Sequence, residues 1–152
     1  MDKTELKVSA IKNGTVIDHI PAKDLFTVIR ILKLDTIENQ ITFGTNLESK
    51  RGEKKAIIKI SDKFFEEAEI NKIALLAPLA NLNIIKDYEV VEKKNISLPK
   101  QIIGIARCMN PKCITNAEPM NTRFDVVSKN PVSLKCCYCG KITDKDHIRI
   151  TE

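Results

Sequence analysis

Cys108-Met109-Asn110-Pro111-Lys112-Cys113 and, 22 residues later, Cys136-Cys137-Tyr138-Cys139 make up a Cys-x4-Cys…Cys-x2-Cys pattern. Two short loops with this spacing can present four thiolates at the corners of a tetrahedron, the arrangement of a closed structural Zn²⁺ site with no open position for catalysis. The spacing predicts a small zinc fold near the C-terminus, with Cys108, Cys113, Cys136 and Cys139 holding one structural ion per chain. Cys-x2-Cys by itself also serves thiol redox chemistry, but redox motifs belong near a βαβ unit with the first cysteine opening a helix. Here Cys136 follows a strand-like run and a second pair waits upstream. Cys137 reads as a spare thiol pointing away from the metal, and His147 as a surface or strand histidine, because four thiolates already fill the shell.

The 152 residues are 43% apolar and 30% charged, an ordinary globular composition. The segment beyond Lys100, roughly 50 residues, buries too little surface to be stable unaided, and a metal answers that need. Five cysteines, an odd number, fit metal binding in a reducing compartment better than a secreted disulfide framework. No apolar run is long enough to span a membrane, and the N-terminal residues lack a secretory h-region, so a cytoplasmic chain without membrane contact is expected. Residues 1–100 carry 17 basic against 15 acidic side chains and residues 101–152 carry 8 against 5. Metal binding deprotonates the cysteines and leaves the C-terminal part near neutral, a poor footprint for nucleic acid.

Along the chain, Leu6, Val8 and Ala10 alternate as in a strand, and Asn13-Gly14 ends it with a turn signal. Pro21 opens a helix over 22–32, whose Ala22, Leu25, Phe26 and Ile29 share one stripe. Ile41, Phe43, Thr45 and Leu47 alternate again, and the β-branched run 56–60 follows a polar loop, which predicts a hairpin. A second helix over 65–76 has Glu66, Glu67 and Glu69 in its first turns and Pro78 as its stop. Short strands over 82–85 and 88–91 complete strand, helix, strand, strand, helix, strand. The expected class is α+β: an N-terminal ferredoxin-like (βαββαβ) domain, an antiparallel sheet with both helices on one face, and a small C-terminal all-β zinc-binding domain. Residues 93–100 are polar, proline-marked and non-periodic, which places the boundary there, with domains at 1–96 and 97–152. The second domain is expected to use strands over 102–107, 124–127, 132–135 and 147–150.

No nucleophile, base and orienter can be assembled around His19 or His147, and no Gly-rich phosphate loop occurs, so no catalytic residue is expected. The stretch Gly14-Thr15-Val16-Ile17-Asp18-His19-Ile20-Pro21 places an acid and a histidine in the predicted loop between first strand and first helix. Taken alone it suits a solvated turn equally well, and Lys59, Asn83 and Lys93 suit exposed strand positions.

Together, however, the run from Ala10 to Pro21, the later Asp87-Tyr88-Glu89-Val90-Val91, the Ser97-Leu98-Pro99 linker and the cysteine tail closely resemble the regulatory chain of aspartate carbamoyltransferase. The resemblance is collinear over nearly the whole chain. It implies a non-catalytic subunit with a nucleotide-binding allosteric domain and a zinc domain docked on a separate catalytic chain, in an assembly of two catalytic trimers and three regulatory dimers. The regulatory homodimer would form through the N-terminal domains. It further implies inhibition by CTP and activation by ATP of the committed step of pyrimidine biosynthesis. Carried over by position, Val8, Ala10 and Ile11 would lie beside the base, with Asn83, Ile85, Tyr88 and Val90 completing the pocket. Asp18 and Lys59 would hold the ribose and base edge, and His19 and Lys93 would face the phosphates. Lys112 stands where the family has a small polar residue, a change that bears on the catalytic-chain contact and leaves the metal ligands untouched.

Overall fold

The computed structural model describes residues 10–50, 52–129 and 131–151. The predicted strand at Leu6 and Val8 lies outside them. The first described strand, β1, is Gly14–Pro21, the very stretch expected to be a loop. Its near-continuous burial explains the misreading: in this middle strand Gly14, Thr15, Val16 and Ile17 are all buried, Ile17 in the helix-covered core and Val16 against Ile11 and Ile85 on the other face. After the bend at Lys12 and Asn13, Gly14 is needed for close approach as well, since a Cβ at its φ of +142° would lie 2.1 Å from the carbonyl oxygen of Ile60.

After β1 come a 3-10 turn (Ala22–Asp24), α1 (Leu25–Ile31), the hairpin β2 (Ile41–Glu48) and β3 (Lys54–Ser61), α2 (Glu67–Leu76), and a second hairpin, β4 (Asn81–Lys86) and β5 (Glu89–Asn95). The sheet order is β2-β3-β1-β4-β5, antiparallel throughout. Its first four strands with α1 and α2 are the expected ferredoxin-like unit, and β5 extends it at one edge. Ile17, Ile20, Ile58, Ile60 and Leu82 from the sheet share one buried cluster with Leu25 and Val28 of α1 and Ile73 and Leu75 of α2. Both helices therefore cover the same face. Fully burying each such side chain is worth about 1.5–3 kcal/mol. α1 stops where Lys33 turns left-handed at φ 56°. α2 starts on a reciprocal capping box between Glu66 and Glu69 and ends before Pro78.

The stretch 93–100, expected to hold the domain boundary, carries strand and core residues. β5 runs on to Asn95, while Ile96 and Leu98 are each 4% exposed within the main core cluster. A polar, proline-marked sequence hid two apolar anchors spaced so that both face inward.

Beyond it lie β6 (Gln101–Ile103), β7 (Ala106–Arg107), α3 (Ile114–Ala117), β8 (Arg123–Lys129), β9 (Val132–Cys136), β10 (Ile142–Asp144) and β11 (Arg149–Ile150). They form an antiparallel sheet in the order β10-β9-β8-β6 and a separate β11-β7 pair. The expected strand over 102–107 is broken in two at Gly104, which has φ +70°. The strand expected over 147–150 begins as a 3-10 turn (Lys145–His147), and the one-turn helix α3 qualifies the all-β expectation. Phe124, Leu134, Ile102 and Cys136 fill the inner face at 1% exposure or less. No helix among the described residues is long and apolar enough to cross a membrane.

Candidate functional site

The two cysteine loops meet at one point. β7 leads into Cys108, Cys113 is the N-cap of α3, Cys136 ends β9, and Cys139 lies in the turn before β10. Their sulfurs all lie within 4.8 Å of one another, with Cys108 to Cys139 at 3.6 Å and Cys113 to Cys136 at 3.7 Å. Four sulfurs bound tetrahedrally at the ~2.3 Å Zn–S distance stand about 3.8 Å apart, so the donor set fits the metal that the spacing predicted. All five cysteines are unpaired, and Cys137 is exposed and outside the cluster. His147 is exposed too, and its Nδ1 lies 2.5 Å from Asp144 Oδ1.

Burial pushes the Cys108 thiol up to about 12, with the neighbouring thiols acting in the same direction against the Asn110 N–H. Burial likewise raises Cys136. At Cys139 burial also opposes ionisation, but hydrogen bonds from the Lys141 N–H, the Asn110 side chain, Cys108 and Cys136 outweigh it and hold the thiol at about 7. Metal must displace every remaining proton, so affinity is expected to fall as pH falls, by roughly tenfold per pH unit for each proton displaced. Chelator competition between pH 6 and 8 measures this directly, and a flat profile would contradict it.

The second constellation lies on the sheet face away from the helices. Residues directly opposite in adjacent strands point to the same side. The register aligns Thr42, Lys59, Val16, Asn83 and Lys93 in one row across β2, β3, β1, β4 and β5. Lys59, Asn83 and Lys93, far apart in sequence, are thus brought into line. The neighbouring row places Gly14 beside Ile85 and Ile85 beside Val90. Ile11, Val16 and Ile85 form a small buried cluster of their own, backed by Ile57. The result is an apolar floor between two lysine-bearing strands.

Asp18 and His19 sit on β1 and not in a loop. The β1–β3 register slips between Ile17 and Ile20, and His19 takes φ 60° in that bulge. The His19 N–H donates to Asp18 Oδ1 at 2.7 Å, and Lys55 Nζ lies 3.0 Å from Asp18 Oδ1. Tyr88 closes the β4–β5 hairpin with Asp87, both at positive φ as in a type I′ turn. Its N–H donates to the Lys12 carbonyl at 2.9 Å, and that of Asp87 to Asn13 Oδ1 at 3.2 Å, which pins the turn beside Ile11. Ala10 is exposed, as are Tyr88, Val90 and Lys93. Val8 lies outside the described residues.

Three residues of this face were missed from sequence: Val16, Lys55 and Ile57. The signal for two of them was present, since in a strand Lys55 and Ile57 must share the face of Lys59. Val16 could not be found while its stretch was taken for a loop. Chemically, the face offers an apolar surface for a planar ring, amides and a carboxylate for polar edges and hydroxyls, and lysines for anionic groups.

Comparison with known proteins agrees with this two-part layout. Residues 6–97 match the family described as "Aspartate carbamoyltransferase regulatory chain, allosteric domain", and residues 100–149 match its "metal binding domain". The chain is 53% identical over 149 residues to the aspartate carbamoyltransferase regulatory chain of Bacteroides thetaiotaomicron, covering 98% of this chain and 97% of that one. To that of Porphyromonas gingivalis it is 52% identical over 150 residues, covering 99% of each. To that of Pyrococcus horikoshii it is 49% identical over 146 residues, covering 95% and 96%. These relatives are regulatory and not catalytic chains, their likeness spans both domains without interruption, and on that ground this chain belongs to the aspartate carbamoyltransferase regulatory chain family.

Proposed function

We propose that this chain binds CTP as inhibitor and ATP as activator on the outer face of its N-terminal sheet, and so controls carbamoyl transfer to aspartate, the committed step of pyrimidine biosynthesis, carried out by a separate catalytic chain in the cytoplasm. The observation that carries the reading is the transverse row of Lys59, Asn83 and Lys93 over the floor of Ile11, Val16 and Ile85. In it, Ile11, Ile85, Tyr88 and Val90, with Val8 and Ala10, flank the base. Asp18 and Lys59 hold ribose and base edge, and His19 and Lys93 take the phosphates. β1 is paired on both sides, so its backbone is spent in the sheet. Reading of the base edge therefore falls to side chains and to the loop backbone near Ala10 and Tyr88.

The C-terminal unit, with the division at 96/97, holds one Zn²⁺ on Cys108, Cys113, Cys136 and Cys139; a closed four-thiolate set suits zinc in a structural role. The folded metal domain docks on the catalytic trimer, in an assembly of two trimers and three regulatory dimers. Homodimerisation through the N-terminal domain is supported by the β2 edge, where exposed Phe26 and Phe43 stack edge-to-face with centroids 5.9 Å apart.

An effector acts only through different affinities for two states of the assembly. Burial of Ile96 and Leu98 favours transmission by packed bodies over a loose tether. The test is a pull-down with the full chain from native lysate, followed by assay of the captured partner. Carbamoyl transfer whose aspartate saturation shifts with CTP and oppositely with ATP is expected. Capture of the transferase with no response to either nucleotide would reduce the chain to a scaffold.

A further inference from the structure

The metal-loaded cluster would carry four thiolates against one divalent ion, a net charge of −2 at a site where three of the four cysteines are buried. Such charge needs hydrogen-bond donors around it. Backbone N–H groups of the loops serve three sulfurs: that of Asn110 for Cys108, those of Cys139 and Tyr138 for Cys136, and that of Lys141 for Cys139. Cys113 Sγ meets a side chain outside the cluster, Thr115 Oγ1 at 3.2 Å, on a residue only 8% exposed. A thiolate can only accept, so in the loaded state the hydroxyl donates.

Two neighbouring amides complete the arrangement. Asn116 Nδ2 donates to the Cys108 carbonyl at 2.9 Å and the Asn110 carbonyl at 2.8 Å, tying the first loop shut from α3. Asn110 Oδ1 accepts the Lys112 N–H at 3.0 Å, and the Asn110 side chain also hydrogen-bonds Cys139 in the other loop.

We propose that Thr115, Asn110 and Asn116 form an outer shell that orients the four sulfurs and screens their charge, with Thr115 the positioning residue for Cys113 through its hydroxyl. The inference rests on the reading of the cluster as a metal site and assigns roles that the cysteine pattern does not contain. In the folded, loaded module the shell ties the six-residue loop to α3 and to the facing loop.

The test loads full-length wild type, Thr115→Val and Thr115→Ser with Co²⁺ and then Zn²⁺. Valine keeps the branched shape and removes the donor; serine keeps the donor. The valine variant should shift the thiolate-to-cobalt charge-transfer band and release metal to a chromophoric chelator about tenfold faster or more. Serine should restore both. A valine variant with wild-type band and release rate overturns the proposal, as does equal impairment of valine and serine, which would mean packing alone. If valine does not yield folded protein, Thr115→Ala read against Thr115→Ser makes the same comparison. Failure of wild type itself to take up cobalt would instead sink the metal reading, and the outer shell with it.

Discussion

Replacing Cys113 with serine is expected to strip the chain of its metal, unfold residues beyond about 100, and abolish association with the catalytic chain. Serine keeps the size of cysteine but remains protonated and hard at neutral pH, so the donor set drops to three thiolates. Structural zinc sites contribute on the order of 10–16 kcal/mol to folding of their modules, more than the whole stability of a typical domain. Cys113 is also 1% exposed, and its backbone N–H closes the loop on the Asn110 carbonyl at 2.9 Å. Little is left to hold the β10-β9-β8-β6 sheet once the clamp opens, because its inner face offers few large side chains besides Phe124, Leu134 and Ile102. Nucleotide binding should survive, since the N-terminal sheet keeps its own helices and core. Cys137→Ser, exposed and outside the cluster, is the matched control and should leave metal content unchanged. Elemental analysis and co-migration with the catalytic chain decide it. Normal assembly of a metal-free Cys113→Ser chain would refute the docking role.

The cysteines were legible because a tetrahedral metal imposes its spacing on the chain directly. The β2–β3 hairpin and α2 were legible because each has one buried and one solvated side, which writes a period into the sequence. β1 was not, for three compounding reasons. It is buried on both faces, so Val16 and Ile17 show no alternation. The bulge at Asp18 and His19 shifts the phase of what alternation remains, and Gly14, demanded by the Ile60 carbonyl, follows a bend and so reads as part of a turn. β10 and α3 fail differently, as three and four residues are too few to display any period. The nucleotide face shows the same division. Lys59, Asn83 and Lys93 were found only through resemblance, because their common feature is a register across strands that no local pattern records.

That register also yields the sharpest test of the proposed site. Lys59 and Lys93 stand three strand spacings apart in the row, about 14 Å at the ~4.8 Å interstrand distance, with Val16 and Asn83 between them. A nucleotide lying across the strands would meet one lysine at its base and ribose and the other at its phosphates. A hydrogen bond to a charged group is worth about 1.5–3 kcal/mol, so the double variant Lys59→Ala with Lys93→Ala should weaken CTP and ATP alike by roughly a hundredfold or more. Both nucleotides must suffer, because the phosphates are common to them. Lys94→Ala supplies the control. It removes the adjacent lysine on the same strand, but Lys94 pairs with Leu82 of the helix-covered face and lies 3.8 Å from Glu92, so its loss should leave both affinities within about twofold. Calorimetric titration of the full chain measures both variants beside the wild type, with metal content confirming that the second domain is intact. Equal losses in the double variant and in Lys94→Ala would mean that charge alone, and not the face of the sheet, attracts the nucleotide. Unchanged affinity in the double variant would remove the row from the site altogether. The predicted asymmetry between the outer-face pair Lys59 and Lys93 and the helix-face Lys94, the sequence neighbour of Lys93 on the same strand, ties the binding to the register that β1 sets.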